Sequence, residues 1–315
     1  DASTVMLRDK AHPARLARVE VDESMWKHGP EYVFDVKLNI TSTPMDYEGA
    51  QISNYTMMNL FCRPRGPDGL SCRLANCRKQ TMDVTNDNEI EITEVEARHL
   101  CSEEPFEIKF NDHGVEHLVV DEGVHVANLN DLKLLVERFN IGADLNGVPD
   151  GTFEIMENTT IGQCVVIVGI NHFPSKGGIS KAKNYRYELE SLPHLNKVPG
   201  EAIVIQKSTN LNNCTCYAPF YFGSYGGVVV EADLHSSLES SSSRLFVSDV
   251  QFVSSMTRIG TLGSDKLKNL LAISEYVSLS LRDIRAAKRA LADINAAAET
   301  SILANSDVDR IFTMK

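Results

Sequence analysis

The sequence predicts a mainly β protein with one short internal helix, followed by a short helical extension. Apolar and polar residues alternate in runs on both sides of a single segment with helical spacing, and the composition changes after Gly263. The chain has 315 residues, which fits one large domain or two ordinary ones. We therefore expect a β domain over residues 1–263 and a helical extension over residues 264–315.

The strands are predicted from alternation and from the turns between them. Alternating or apolar runs lie at residues 33–40, 55–62, 70–74, 106–110, 115–120, 151–157, 163–170, 185–190, 202–207, 218–222, 227–232 and 244–252. Segment 63–69 contains two prolines and two glycines, so the runs beside it form a hairpin with Cys62 facing Cys72 across its neck. Asn111 to Gly114 supply the left-handed conformations of a second tight turn.

One segment between the strands has the spacing of a helix. Its apolar residues are Leu129, Leu132, Leu135, Val136 and Phe139. Asn128 or Asn130 can cap the start of this helix, and Gly142 can end it. The apolar stripe is strong for so few residues, and it predicts a helix packed inside a sheet.

The end of the chain has a different pattern. Ser264 can cap a helix with apolar residues from Leu267 to Val277, and an alanine-rich helix can continue through Ile294. We expect these helices to begin a larger helical domain or to dock on a partner. The serine-rich run 236–243 before them predicts a loose, protease-accessible loop.

Charge and composition limit the functions that remain. The formal net charge is −12, which disfavours nucleic-acid binding and anionic membrane surfaces, and the longest apolar stretch, 164–170, is too short to span a membrane. The sequence begins at Asp1 rather than Met, so we expect a removed targeting segment or a start inside a longer chain. Cysteine usage favours the extracellular space. Four N-glycosylation sequons agree with that location: Asn39, Asn54, Asn158 and Asn213.

Seven cysteines predict a disulfide framework with at least one unpaired thiol. Cys62 and Cys72 fit a bond across the hairpin neck. Cys77 and Cys101 can close the following segment, although the sequence alone proves neither bond.

The remaining three cysteines are Cys164, Cys214 and Cys216. Cys214 and Cys216 lie two residues apart and point to one face of a strand, so they are poorly placed to bond each other. Either of them can join Cys164, which leaves the other over. The remaining thiol is then either buried and inert or available to a covalent ligand or a second chain.

The sequence predicts neither an enzyme nor a metal site. No nucleophile elbow, phosphate loop or zinc-type Cys/His spacing is present. His113, His117 and His125 look like a metal cluster, but four residues of a strand span about 13 Å, so the first two cannot share one ion. We expect these histidines to face solvent.

Several segments follow one another in an order that is informative as a set: Trp26-Lys27-His28-Gly29-Pro30-Glu31-Tyr32-Val33-Phe34, Pro105-Phe106-Glu107-Ile108, Asn128-Leu129-Asn130-Asp131-Leu132, Phe153 through Gly162-Gln163-Cys164, and Lys207 through Cys214 followed by Tyr221-Phe222-Gly223. Together they resemble the amino-terminal region of vitellogenins and related large lipid transfer proteins, insect vitellogenins in particular. The resemblance covers about residues 25–260.

The resemblance implies a curved antiparallel β-barrel wrapped around one central helix, followed by the first helices of a helical domain. It also implies secretion into blood, haemolymph or yolk and a role in lipid transport. The family's cysteine at Gly-x-Cys normally bonds a cysteine some two dozen residues on. Residues 185–197 contain none, so Cys164 lacks that partner and Cys216 is additional. Both are therefore candidates for covalent attachment of a ligand.

Two functions follow as hypotheses. In the first, the chain carries an apolar small molecule, such as a bilin or carotenoid pigment, with Cys164 or Cys216 bonded to it. In the second, it is a yolk-precursor fragment that acts in lipid transport, storage or receptor binding, alone, as a homodimer or with other fragments of the precursor. The family's lipid cavity is built mainly from later sheets, so we do not expect bulk lipid here. A receptor of the lipoprotein type could meet a basic patch: Arg63, Arg65, Arg73, Arg78 and Lys79.

Overall fold

The structure is a computed structural model that describes most of the chain. The described residues are 18–20, 27–45, 51–66, 68–84, 90–96, 104–124, 126–175, 180–182, 185–188, 195, 197–198, 200–215, 234–264 and 270–302. Among them, no helix has both the length and the apolar character needed to cross a membrane. The predicted strands at 218–222 and 227–232 lie outside these residues.

Strands dominate the described chain. They are β1 (Arg18–Glu20), β2 (Pro30–Pro44), β3 (Gln51–Arg65), β4 (Gly69–Val84), β5 (Ile90–Glu96), β6 (Phe106–Asn111), β7 (Gly114–Asp121), β8 (Gly151–Asn158), β9 (Gln163–Pro174), β10 (Ser180–Ala182), β11 (Tyr185–Glu188), β12 (Glu201–Thr215), β13 (Leu234–Val247), β14 (Phe252–Ser264), β15 (Leu271–Ala286) and β16 (Ala297–Thr300). Helix α1 (Val126–Val136) runs directly into a 3₁₀ turn at Glu137–Phe139. The predicted mainly β class with one short helix is confirmed.

Thirteen strands form one antiparallel sheet. Its order is β16-β7-β6-β4-β3-β2-β15-β14-β13-β12-β9-β8, and β5 pairs with β4 beside this path. Strands β1, β11 and β10 form a small separate sheet. Within the described residues, the end strands β8 and β16 each pair on one side and do not meet, so the sheet is open. The closed barrel that the family resemblance implied is therefore wrong for this part of the chain.

Alternation gives the sheet two different faces. In β2, Phe34 and Val36 are buried on the face that packs against α1, which we call the inner face, whereas Asp35 and Lys37 point to the opposite, outer face. The same alternation continues across the ladder, because every described pair of neighbouring strands is antiparallel and in register apart from local bulges.

Helix α1 and the 3₁₀ turn cover the inner face and complete the core. The ring of Phe139 lies 5.4 Å from that of Phe34 and 5.8 Å from that of Phe252, centroid to centroid. The predicted apolar stripe is buried in the same core. The helix begins earlier than predicted, so Asn128 and Asn130 lie inside it and do not cap it.

The serine-rich run 236–243 forms part of β13, so the predicted loop is wrong. This strand pairs with β14 from Leu234↔Ser264 to Val247↔Phe252. Pairing with β14 satisfies the backbone of this run. Backbone pairing to a distant strand therefore outweighs the loop composition.

The helices predicted within residues 264–315 are also wrong for the described residues 270–302. Residues 271–286 form β15, which lies between β14 and β2, and residues 287–296 lead without regular secondary structure to β16. The inward residues include Ile273, Glu275, Val277 and Leu279, which alternate with exposed or half-buried residues. The same apolar residues also fit helical spacing. The segment forms a strand because it pairs with a long strand on each side, which favours the two-residue alternation.

Candidate functional site

The hairpin neck carries the disulfide that the sequence predicts. Cys62 of β3 and Cys72 of β4 are directly opposed, with 4.1 Å between their Cα atoms. Both are buried on the inner face. Cys77 is also disulfide-bonded, whereas Cys101 and Cys216 lie outside the described residues.

Cys164 is not available for a covalent ligand, which corrects the prediction made for it. Its sulfur bonds Cys214, 50 residues downstream, and Cys164 is fully buried. A register shift between Asn210 and Cys214 in β12 brings Cys214 opposite Cys164. Of the two partners that the sequence left open for Cys164, the structure has Cys214, which strand pairing rather than the family's usual spacing brings close. Cys214 is confirmed as a disulfide cysteine.

A small pocket lies between α1 and the strands β4, β6 and β7. Its lining includes Leu74, Phe106, Val120 and Leu132. The cavity volume is about 30 Å³, far below the roughly 300–1,000 Å³ of small-molecule sites. This pocket is too small to enclose a pigment or an acyl chain.

Charged groups meet on the inner face beneath the 3₁₀ turn. We call this set the inner cluster; its members are Glu137, Arg138, Glu157, Lys207, Arg258 and Glu275. They come from the 3₁₀ turn and from strands β8, β12, β14 and β15, and their side chains are buried or nearly so. Three acidic and three basic side chains therefore share one buried site.

Glu137 is the centre of this cluster. Its Oε2 lies 3.1 Å from Nη2 of Arg258 and 3.1 Å from Nη2 of Arg138. Thr160 donates its hydroxyl to Oε2 at 2.8 Å and its backbone N–H to Oε1 at 3.3 Å. Arg258 also hydrogen-bonds the Thr160 hydroxyl. The turn is thus tied to β14 and to the loop after β8.

Glu157 forms a second arm of the inner cluster. Its Oε1 accepts hydrogen bonds from Nζ of Lys207 at 2.7 Å and from Nδ2 of Asn140 at 2.9 Å. Lys207 also donates to the Asn140 carbonyl oxygen at 3.1 Å. Gly142, with φ +83°, lies against the Glu157 side chain where a Cβ would collide. The glycine therefore lets the chain after the turn approach this ion pair.

Burial and neighbouring charges shift the pKa values of the carboxyl groups in the inner cluster in different directions. Burial raises the pKa of Glu137, but the charges of Arg258 and Arg138 outweigh it, so the pKa lies below its usual value. Burial raises the pKa of Glu157, and Lys207 offsets this only in part. Burial raises the pKa of Glu275 to about 7, against a partial opposing effect of Arg258.

The sequence analysis missed the inner cluster, although a signal for it exists. Lys207, Arg258 and Glu275 each occupy an inward position in an alternating strand whose neighbouring inward residues are apolar. A charge at such a position predicts a buried partner. The partner itself, Glu137, could not be found, because it lies 121 residues from Arg258.

A second set of ion pairs lies on the outer face, and we call it the outer cluster. Its members are Glu31, Arg63, Arg65, Glu107, Arg285 and Asp293. Oε1 of Glu31 accepts from Nε and Nη2 of Arg63 at 3.0 and 2.9 Å, and Oε2 accepts from Nε and Nη2 of Arg285 at 2.8 and 2.6 Å. Burial raises the pKa of Glu31, but these hydrogen bonds outweigh it and leave the pKa below its usual value.

The outer cluster includes two residues of the predicted basic patch, Arg63 and Arg65. Arg63 donates to the carbonyl oxygen of Arg289 at 2.6 Å, and Arg65 contacts Asp293 at 3.1 Å. These arginines hold residues 287–296 across the outer face. Arg73 lies over the ring of Phe61, 4.4 Å from its centroid. Two of the five basic residues of the patch, Arg63 and Arg65, are therefore paired with carboxylates of the chain.

The four sequons differ in accessibility. Asn158 and Asn213 are exposed, which leaves room for a glycan. Asn39 and Asn54 are half-buried, and the side-chain oxygen of Asn54 accepts a hydrogen bond from the Thr81 hydroxyl at 2.9 Å. Glycosylation stays a prediction at all four.

Two of the three histidines that were considered as a metal cluster, and that we expected to face solvent, lie within the described residues. His113 lies in the turn before β7, where its backbone N–H donates to Asn111, and His117 lies within β7 beside Glu116. His125 lies outside the described residues. No group of three or more potential metal ligands is found in the described part of the chain.

Apolar side chains form a stripe on the outer face. Phe173 of β9, Phe246 of β13 and Val253 of β14 alternate with inward residues of the core, and we call them the outer stripe. The rings of Phe173 and Phe246 are 6.2 Å apart, and Phe246 pairs with Val253. Phe173 is 40% exposed and Val253 is 39% exposed. Exposed apolar groups of this size are candidates for contact with a partner or a lipid.

The described residues form a β-rich domain, in which a large open sheet buries one helix and carries disulfides and internally paired charges. Residues 26–254 match the vitellogenin N-terminal domain family, and the chain belongs to that family. The family resemblance noted in the sequence is therefore confirmed. No curated protein matches the chain.

The fold is similar to that of a solved lipovitellin structure. A structure that describes lipid–protein interactions in lipovitellin superposes with a TM-score of 0.57 at 12% identity, over 86% of this chain and 27% of that chain. The chain thus spans about a quarter of that lipovitellin chain. A LolA superfamily protein, NE2245 of Nitrosomonas europaea, covers 87% of this chain and 94% of that chain at 10% identity, but its TM-score of 0.16 carries no argument.

Proposed function

We propose that the chain is part of a secreted lipid-binding and lipid-transport protein of the vitellogenin type. Membership of the vitellogenin N-terminal domain family carries this proposal, and the lipovitellin-like fold supports it. Two disulfides, Cys62–Cys72 and Cys164–Cys214, agree with secretion into blood, haemolymph or yolk. Exposed sequons at Asn158 and Asn213 agree with the same location.

Lipid contact is assigned to the outer stripe rather than to the inner face. The inner face is filled by α1 and the 3₁₀ turn, and the pocket beside α1 holds about 30 Å³. Phe173 and Val253, by contrast, present apolar surface that costs free energy in water. A lipid surface, carried by the rest of a longer lipoprotein, would cover them.

The pigment hypothesis has less support than lipid transport. Its covalent form needs an available thiol, and Cys164 is bonded to Cys214. Cys216 is the remaining candidate for a bilin or another covalent ligand. A visible absorption band that persists in denaturant, and that is lost on Cys216→Ser, would support the pigment function. A colourless protein would contradict it.

Vesicle flotation tests the proposed lipid contact. The whole chain, secreted with its disulfides intact, is mixed with phosphatidylcholine vesicles, which are zwitterionic and do not repel a chain of net charge −12. We expect the wild-type chain to float with the vesicles. Val253→Asp should bind about tenfold less tightly, because it removes an apolar side chain worth roughly 1.5–3 kcal/mol on burial and adds a charge.

Thr257→Asp is the matched control. Thr257 lies on the same strand and the same outer face as Val253, four residues away, but it is not part of the outer stripe. We expect this variant to float like wild type. Failure of the wild-type chain to bind vesicles, or equal loss in both variants, would contradict lipid contact through the outer stripe.

A further inference from the structure

The inner cluster is the joint between α1 with its 3₁₀ turn and the sheet. Glu137 and Arg138 come from the turn and pair with each other, and Glu137 is held to the sheet by Arg258 of β14 and by the uncharged Thr160 of the loop after β8. The turn is anchored through Arg258, which reaches both Glu137 and Thr160. A change in the charge of a group beside Arg258 therefore changes how firmly the turn and α1 are attached to the sheet.

Glu275 is the group in this joint that lacks close partners. It is 1% exposed, and neither of its carboxylate oxygens has a hydrogen-bond partner. Its nearest cation is Nη1 of Arg258 at 3.6 Å, while Nη2 of the same guanidinium is committed to Glu137 and Thr160. An ionised Glu275 would be a buried charge without hydrogen bonds, which is costly.

The groups facing Glu275 come from each element packed against it. Arg258 lies opposite on β14, and apolar Ile40 lies opposite on β2. From the 3₁₀ turn, the charges of Arg138 and Glu137 act on it in opposite directions. Lys207 is committed to Glu157 and Asn140. Arg258 alone among the cations of the cluster makes an ion pair with Glu275, and it is shared.

We propose that Glu275 carries a proton while the 3₁₀ turn is docked, and that loss of this proton loosens the turn and α1 from the sheet. With Glu275 neutral, Arg258 is committed to Glu137 and holds the turn. With Glu275 ionised, the same guanidinium is divided between two carboxylates on opposite sides of the joint. The joint is thus a proton-dependent device that is tight in mildly acidic solution.

The direction of the pKa shift agrees with this geometry. Burial raises the pKa of Glu275 to about 7 in the folded chain, from 4.5 when exposed. Between pH 4.5 and pH 7 the folded chain therefore binds a proton that the unfolded chain has lost, so this group's stabilising contribution falls as the pH rises through that window. Above pH 7 both states are ionised and the contribution stays low.

Unfolding at two pH values tests the inference directly. From pH 6 to pH 8, the folding equilibrium constant should fall about tenfold through Glu275 alone, given a pKa near 7 in the folded state. Glu275→Gln keeps the shape of the neutral carboxyl and cannot ionise. We expect the pH dependence of wild type, measured by urea unfolding, to exceed that of Glu275→Gln by this factor.

Glu31→Gln is the matched control. Glu31 is a buried carboxylate of the outer cluster with a lowered pKa, so it is ionised at both pH values in folded and unfolded chains. This variant should keep the wild-type difference between pH 6 and pH 8. An identical difference in wild type and Glu275→Gln would overturn the inference.

Hydrogen exchange locates the effect and does not depend on any variant. The amides of residues 126–139 should lose protection at pH 8 relative to pH 6, after correction for intrinsic exchange, while those of β2 and β3 keep theirs. Equal protection of residues 126–139 at pH 6 and pH 8 would contradict loosening of the turn. This readout is independent of lipid binding, so failure of vesicle flotation would leave it unchanged.

Discussion

The inner and outer clusters use the same chemical groups on opposite faces of one sheet, and they satisfy them differently. In the outer cluster, both oxygens of Glu31 are held by two guanidinium groups, and Arg285 still reaches solvent with a side chain that is 42% exposed. In the inner cluster, Arg258 is 3% exposed and is divided between Glu137 and Glu275. Burial therefore removes the water that would otherwise satisfy the remaining polar atoms.

Each cluster also has a disulfide beside it. Cys164 pairs with Glu157 across β8 and β9, so the Cys164–Cys214 bond fixes strands that carry the inner cluster. Cys62 precedes Arg63 in β3, so the Cys62–Cys72 bond fixes the strand that carries the outer cluster. The two regions can therefore be compared by matched changes to ion pairs and to disulfides.

The largest effect is expected from Arg258→Met. Removal of this guanidinium leaves the buried, ionised Glu137 without its main cation from the sheet, which typically costs about 3–5 kcal/mol. Urea unfolding measures the loss. Arg282→Met is the outer-face control: Arg282 is 49% exposed and pairs with Asp35 at 3.1 Å, so its loss should cost less than about 1 kcal/mol. Equal losses would mean that burial does not make the inner cluster more sensitive than an exposed ion pair on the outer face.

Loss of the disulfides should follow loop length. Replacing Cys164 and Cys214 together by serine opens a loop of 50 residues and should destabilise the chain by about 4 kcal/mol, whereas replacing Cys62 and Cys72 opens a loop of 10 and should cost about 3 kcal/mol. Thermal and urea unfolding of the two double variants measure these values. A larger loss for the short loop would show that local packing outweighs chain entropy here.

The smallest effect is expected from Arg63→Ala. Glu31 keeps Arg285, and the site is partly solvated, so we expect a loss of about 1 kcal/mol. The carbonyl oxygen of Arg289 loses its hydrogen bond, so trypsin should cleave after Lys288 or Arg289 faster than in wild type. Arg73→Ala, which removes a contact with Phe61, should leave that cleavage rate unchanged.

Local sequence was a good guide wherever an element is defined by its own neighbours. The hairpin around 63–69, the turn at Asn111 to Gly114 and the buried stripe of α1 all follow from turn residues and periodicity. It was a poor guide at β13 and β15, where serine content and an ambiguous apolar spacing favoured a loop and a helix. In both strands the decisive contribution is backbone pairing with neighbours on each side.

The candidate sites depended even more on distant contacts. The sequence left Cys164 with two possible partners, Cys214 and Cys216, and pairing of β12 with β9 selects Cys214. The basic patch around Arg63 suggested a receptor surface, but Glu31 and residues 287–296 bind two of its members, Arg63 and Arg65.

The sequence by itself determined the mainly β class, the hairpin that sets Cys62 opposite Cys72 and the burial of the segment around Phe139, because these depend on residues close along the chain. The tertiary structure alone decided the open sheet, the Cys164–Cys214 bond and the inner cluster. Their partners lie tens to more than a hundred residues apart, as Arg258 and Glu137 do. Charges at such separations become neighbours only when the strands pair and the 3₁₀ turn packs against the sheet.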